Sequence, residues 1–160
     1  MLAAYVRGRA AGNPGATGSA LVAVEHIGSP SVPGLAAKNI IDIMAGVESL
    51  DDAPRWIAPL TELGYHYMAE LEAQFPERRY FNKGTVEVPT HHLHMVELTS
   101  EFWHRHLLFR DYLRSHPDAA GEYAELKRRL ASQHDDIDDY TLAQTDFITG
   151  IERTARALKA

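Results

Sequence analysis

The 160-residue chain contains no cysteine. That absence excludes a disulfide framework, thiolate chemistry and any zinc site built on cysteine. Long apolar runs are missing too. No stretch approaches the roughly 18 consecutive apolar residues of a membrane span, and the N-terminus lacks the unbroken apolar core of a signal peptide. Positive charge is scarce, with 16 lysines and arginines against 22 aspartates and glutamates and a formal net charge of -6. An acidic chain offers no uniform field to a nucleic-acid backbone, which makes nucleic acid a secondary expectation as partner. No internal repeat is present. These absences predict a soluble, cytoplasmic protein that acts on a small molecule without membrane association.

What remains is enough for one core, because 45% of the residues are hydrophobic. A single domain is expected over residues 21–160. Ahead of it, Gly8, Gly12, Pro14, Gly15 and Gly18 should stop any helix begun at Leu2, leaving 1–20 as a flexible segment. Apolar, β-branched runs at 21–27 and 39–44 predict two neighbouring strands, with further strands near Gly64, at 79–82 and at 90–98. Between them, 49–64 reads as a helix capped by Ser49 or Asp51 and stopped by Gly64. Beyond Leu98 the apolar period lengthens. Ser100 caps a helix through Arg114, Asp118 caps a second through Leu130, and a third spans about 140–158. Strands first and helices later argue for an α+β fold, a mixed sheet flanked by helices with a helical C-terminal half.

The residues that could carry chemistry gather around EHIGSPSVPGLAAKNIIDI at 25–43. An apolar strand breaks at Gly28-Ser29, and a second strand brings in the lone carboxylate of Asp42. Such a turn offers backbone N–H groups and the hydroxyls of Ser29 and Ser31 to phosphate oxygens, while Asp42 would hold a hard cation. A plain turn with a capping aspartate is the alternative. In HHLHM, the pleat places His92 and His94 on one sheet face and His91 on the other. The pair would ligate a metal, serve as proton donors, or simply be hydrogen-bonded at a covered face. Arg110, beside Asp111, would clamp an anionic substrate or form an ion pair between helices. Lys127 shares a helix face with Tyr123, and with Tyr140 would contact phosphate or base. Lys38 would reach a phosphate or stay in solvent. Asp135, Asp136, Asp138 and Asp139 lack the glycine and terminal glutamate of an EF-hand and read as a solvated loop with Asp139 as a helix cap. Arg78-Arg79 is too short a basic run to argue for RNA. His104 and His106 read as surface or packing residues.

At EHIGSPSVPGLAAKNIIDI, HHLHMV, FRDYLRSHPDAAGEYAELK and YTLAQTDFI, in consistent order over about 22–151, the chain resembles the GrpB-like family of the nucleotidyltransferase superfamily. The resemblance implies a nucleotidyltransferase-like mixed sheet with a Gly-Ser turn near a metal-binding strand. It implies a divalent metal, Mg2+ or Mn2+, and a nucleotide as a possible substrate. Nucleotidyltransferases usually carry a second carboxylate two residues on, where this chain has Met44. His92 or His94 would then replace it, which would favour Mn2+ or Zn2+. Family members commonly have Thr where Pro30 stands, Pro where Asn39 stands and Lys where Gln144 stands, and an N-terminal helix with a tryptophan where this chain has its Gly-rich start. Three functions stay open: a metal-dependent nucleotidyltransferase-like enzyme, a non-transferase enzyme using His92 or His94 as acid or base, and an inactive nucleotide- or metabolite-binding accessory protein.

Overall fold

The computed structural model describes residues 23–35, 40–85, 87–132 and 137–158, with the side chains of 131–143 outside that description. The strands β1 Ala23–Ile27, β2 Ile41–Val47, β3 Tyr65–Tyr67, β4 Arg78–Gly84 and β5 Pro89–Glu97 form one sheet in the order β1-β2-β5-β4-β3. β2 and β5 run parallel and every other neighbouring pair is antiparallel. The helices are α1 Pro54–Glu62, α2 Glu101–Ser115, α3 Pro117–Ser132 and α4 Ile137–Ala157. This is the expected α+β arrangement of a mixed sheet with a helical C-terminal half.

Alternation along β2, β4 and β5 divides the sheet into two unlike faces. Ala45, Val47, Phe81, Leu93 and Met95 point one way and pack with Leu60 of α1 into a dry core. The opposite face carries Asp42, Met44, His92, His94 and Tyr80, as the strand register requires. There Met44 packs with Ile27, Val96 and Trp103 of α2. Helices α2 and α3 build a third cluster from Leu113, Ala120 and Tyr123 with Val32. The buried centre of one sheet face is therefore apolar, whereas that of the other mixes apolar and polar side chains.

Helix starts follow their capping chemistry, with three departures from the expected boundaries. Ser100 is extended, and its Oγ accepts from Trp103 N at 3.1 Å while donating to Glu97 O at 2.6 Å. Replacing Ser100 with alanine should lower stability by about 1 kcal/mol. A urea midpoint that falls at constant slope would show it, whereas an unchanged midpoint would deny the cap any weight. Ser49 caps a short 3-10 turn, Leu50–Asp52, ahead of α1. Asp118 is not a cap: α3 opens on Pro117, whose missing N–H costs nothing there, and Asp118 sits in the first turn facing the helix dipole. Helix α4 opens at Ile137, so Asp138 and Asp139 belong to its first turn rather than to a preceding loop. Acidic residues are favoured at that position by the same dipole. The expectation of a flexible 1–20 segment falls outside the described residues.

Candidate functional site

β1 ends where β2 begins, because Ile27 pairs with Asp42 across the antiparallel ladder. The chain must turn at once, and Gly28 does so at φ 72° and ψ -177°, a region that only glycine enters readily. A Cβ at Gly28 would stand 2.6 Å from Asp42 Oδ2, so the missing side chain is what gives the carboxylate its room. A 3-10 turn, Ser29–Ser31, follows directly. Its two serines do different things. Ser31 is buried, its Oγ donates to Gly28 O at 2.6 Å and its carbonyl accepts from Arg114 Nε at 2.9 Å. That hydroxyl closes the turn. Ser29 Oγ instead accepts from Lys127 Nζ of α3 at 2.7 Å.

Asp42 lines a cavity of about 530 Å³ between the polar face of the sheet and the helices, together with Gly28, Ser29, Arg110, Tyr123 and Gln144. Burial pushes the Asp42 carboxyl above its ordinary range, opposed by His92, His26 and Lys127. His92 Nδ1 lies 3.2 Å from Asp42 Oδ1. An ionised carboxylate only accepts, so Nδ1–H donates and Nε2 is left as the basic nitrogen of the neutral ring. Tyr80 stacks obliquely beside both imidazoles, at 5.6 Å from His92 and 5.1 Å from His94. Burial first, and then the charge of Asp42, push its phenol up.

The register separates the two histidines of the expected pair. His92 sits opposite Asp42, whereas His94 sits opposite Met44, one pleat deeper. Met44 is fully buried at the place of the second carboxylate. His94 lies among Tyr80, Phe102 and Arg78, and its buried Nδ1 has no hydrogen-bond partner among the described residues. Its pKa is lowered from 6.5 to about 3 by burial, with Arg78, His106 and His92 adding to the shift.

Arg110 also lines the cavity, but its charge is already matched. Its Nη1 donates to Glu25 Oε2 at 2.6 Å and to His26 O at 3.0 Å, and its Nε donates to Asp111 Oδ1 at 2.7 Å. The ion pair joins α2 to β1, not to another helix. Lys38 and the side chain of Tyr140 lie outside the described residues. Sequence reading missed Tyr80, Glu25 and the buried Glu152, whose two oxygens accept from Arg105 Nε at 3.0 and 2.8 Å, and took Arg78 only as half of a short basic run. Glu25 and Tyr80 had one usable signal, a polar or amphipathic residue at an inward position of a strand.

Compared with known proteins, residues 9–154 match the family described as GrpB protein. The chain belongs to the GrpB family. It is 42% identical over 143 residues to the UPF0157 protein YqkA of Bacillus subtilis, covering 89% of this chain and 41% of that protein. A solved structure, the conserved protein GrpB from Enterococcus faecalis, superposes with a TM-score of 0.72 at 38% identity, covering 93% of this chain and 87% of the other. A more distant relative is a dephospho-CoA kinase of Mycolicibacterium paratuberculosis, 31% identical over 163 residues, covering 88% of this chain and 40% of that protein. The chain thus spans less than half the length of both curated relatives.

Membership in the GrpB family is consistent with the nucleotidyltransferase superfamily, and it makes the departures of this chain concrete. Gln144, where the resemblance leads one to expect lysine, donates from Nε2 to Tyr123 Oη at 2.8 Å on the cavity wall. Among the described residues no group of three histidines, aspartates or glutamates is placed to hold a metal. The GrpB match also begins at residue 9, further toward the N-terminus than the motifs that carry the resemblance.

Proposed function

We propose that this GrpB-family chain is a nucleotidyltransferase-like enzyme acting on a phosphate-bearing small molecule, a nucleotide being the leading candidate. One observation carries the reading. Lys127 and Ser29, far apart in the chain, meet at 2.7 Å on the Gly28 turn, against the carboxylate of Asp42. A phosphate oxygen entering there would receive a charge-assisted hydrogen bond from the ammonium and a second from the hydroxyl. Arg110, held by Glu25 and Asp111, would shape the wall rather than supply free positive charge. Such a site works by positioning and by stabilising charge, which is most of what phosphoryl and nucleotidyl transfer need from a protein. A relative named as a kinase supports a phosphate-bearing ligand and goes no further.

The two-cation arrangement does not fit these side chains. It needs a second carboxylate, and that position holds the buried thioether of Met44. A single Mg2+ or Mn2+ on Asp42 and His92, completed by ligand phosphates, remains part of the proposal. Zn2+ is the softer alternative, and no step is routed through any of them. The 3.2 Å contact of Asp42 with His92 favours a second reading, in which Asp42 orients His92 as acid or base on an acidic metabolite and no nucleotide is consumed. An accessory protein that binds without turnover is the third.

A thermal-shift titration with nucleoside triphosphates, with and without Mg2+, Mn2+ or Zn2+, tests the leading reading. Saturating ligand should raise the wild-type midpoint by several degrees, and Lys127→Met and Asp42→Asn should each abolish most of that shift. No shift with any nucleotide, or an equal shift in both variants, would overturn it.

A further inference from the structure

Three arginines line the cavity, and two are hydrogen-bonded to carboxylates. Arg110 has Glu25, Asp111 and a carbonyl, and Arg105 has Glu152. Arg78, reaching in from β4, differs. Among the described residues its guanidinium makes no hydrogen bond, only a loose ion pair with Glu77. Its nearest carboxylate oxygen, on Glu77, is 3.9 Å from Nε, and Nε is buried without a partner. Its side chain is only 19% exposed, so water does not freely replace the missing acceptors. The buried Nε–H is costly unless something accepts from it.

Its surroundings are aromatic. Arg78 Cζ lies 4.2 Å from the Phe75 ring centroid and 5.1 Å from that of Phe102, and His106 stacks on Phe102 at 3.9 Å. The rings attract the cation through their faces but offer no oxygen to its N–H edge. Burial and neighbouring arginines hold His94 and His106 neutral, so no second protonated ring competes for an anion there. Phe75, Phe102 and His106 also line the cavity, giving a flat apolar wall beside the guanidinium.

We propose that Arg78 forms a second anion subsite of the cavity, taking the carboxylate or phosphate of a ligand whose flat, apolar body rests on Phe75, Phe102 and His106. Guanidinium geometry suits either oxyanion through two parallel N–H bonds. The subsite uses residues separate from Lys127, Ser29 and Asp42, so it stands or falls independently of the nucleotide reading.

The test follows the Arg78 Nε–H resonance in 15N-labelled protein during titration with benzoate, phenyl phosphate and neutral benzamide at millimolar concentration. Benzoate, phenyl phosphate or both should move the signal saturably, and benzamide should not. The stronger of the two anions identifies carboxylate or phosphate as the source. Binding of that anion should weaken at least about tenfold in Arg78→Met, partly recover in Arg78→Lys, and change little in Lys127→Met. The proposal is overturned if neither anion moves the signal, if benzamide matches them, or if Arg78→Met binds as wild type. Should Arg78→Met not fold, the wild-type contrast of benzoate and phenyl phosphate with benzamide decides the matter alone. Anion binding through Arg78 in a protein that ignores nucleotides would sink the nucleotide reading and leave this subsite standing.

Discussion

Taking the protein from about pH 7.5 to about pH 5 is expected to remove roughly 2 kcal/mol of stability through His94 alone. The folded imidazole has its pKa lowered from 6.5 to about 3, chiefly by burial and next by Arg78. Above pH 6.5 the ring is neutral in both states and contributes no slope. Below it the unfolded chain takes up a proton that the folded chain refuses, so stability falls by about 1.4 kcal/mol per pH unit until the folded pKa is reached. His106, lowered by burial against the opposing hydrogen bond to Phe102 O, acts in the same direction. Asp42 works against both, since its raised pKa makes the folded state bind a proton sooner than the unfolded one. Its window opens upward from the ordinary carboxylate pKa of 3.8, inside the range over which His94 acts, and there it opposes the loss. Urea unfolding of wild type and His94→Phe across this range separates the contributions. The variant should show a shallower pH slope, and it removes a buried Nδ1 that has no partner among the described residues. Parallel profiles would mean that His94 is protonated in the fold after all.

Gly28→Ala is the second large effect, expected to cost about 2 to 3 kcal/mol and the geometry of the site together. Two penalties coincide at this residue. Its backbone, at φ 72° and ψ -177°, is one that a Cβ opposes, and the new methyl would lie 2.6 Å from Asp42 Oδ2. Asp42 would have to rotate away, breaking the 3.2 Å bond to His92. Gly34 supplies the control. It has φ 81° but nothing within 4 Å of the place a Cβ would take, so Gly34→Ala should carry the backbone penalty alone, about 1 kcal/mol. Comparing the two variants by urea unfolding, and by the response of the His92 ring protons to pH, isolates the contact with Asp42. Equal stability losses with an unchanged His92 titration would show that the carboxylate does not depend on the missing side chain.

Much of the architecture was legible because it rests on local rules. Period-two runs marked the strands, Ser100 announced α2, and the lengthened period beyond it announced the helical half. The alternation in HHLHM correctly set His92 and His94 on one face, since a pleat has no other option. The boundary errors have local causes as well. Pro117 took the start of α3 from Asp118, and acidic residues that suit a loop suit the first turn of α4 equally.

The site itself was only half legible. Gly28, Ser29 and Asp42 are close in sequence and could be grouped by inspection. Which histidine meets Asp42 depends on the parallel register of β2 and β5, and a shift along that ladder would have exchanged His92 for His94. Arg110 was readable as a cation with a purpose, yet its main partner, Glu25, comes from the opposite end of the chain. Arg78 looked like half of a short basic run; Phe75 is close to it in sequence, but its second ring appears only once α2 delivers Phe102.

Residue order was therefore sufficient for the strand and helix inventory, the two-faced sheet and the glycine turn, because each follows from backbone sterics and periodicity within a few residues. Packing alone decided that Lys127 reaches Ser29, that His92 rather than His94 meets Asp42, and that Arg78 Nε is buried with no hydrogen-bond partner among the described residues. Those outcomes are set by contacts between segments tens of residues apart, where burial and register, rather than local preference, determine which charges find partners.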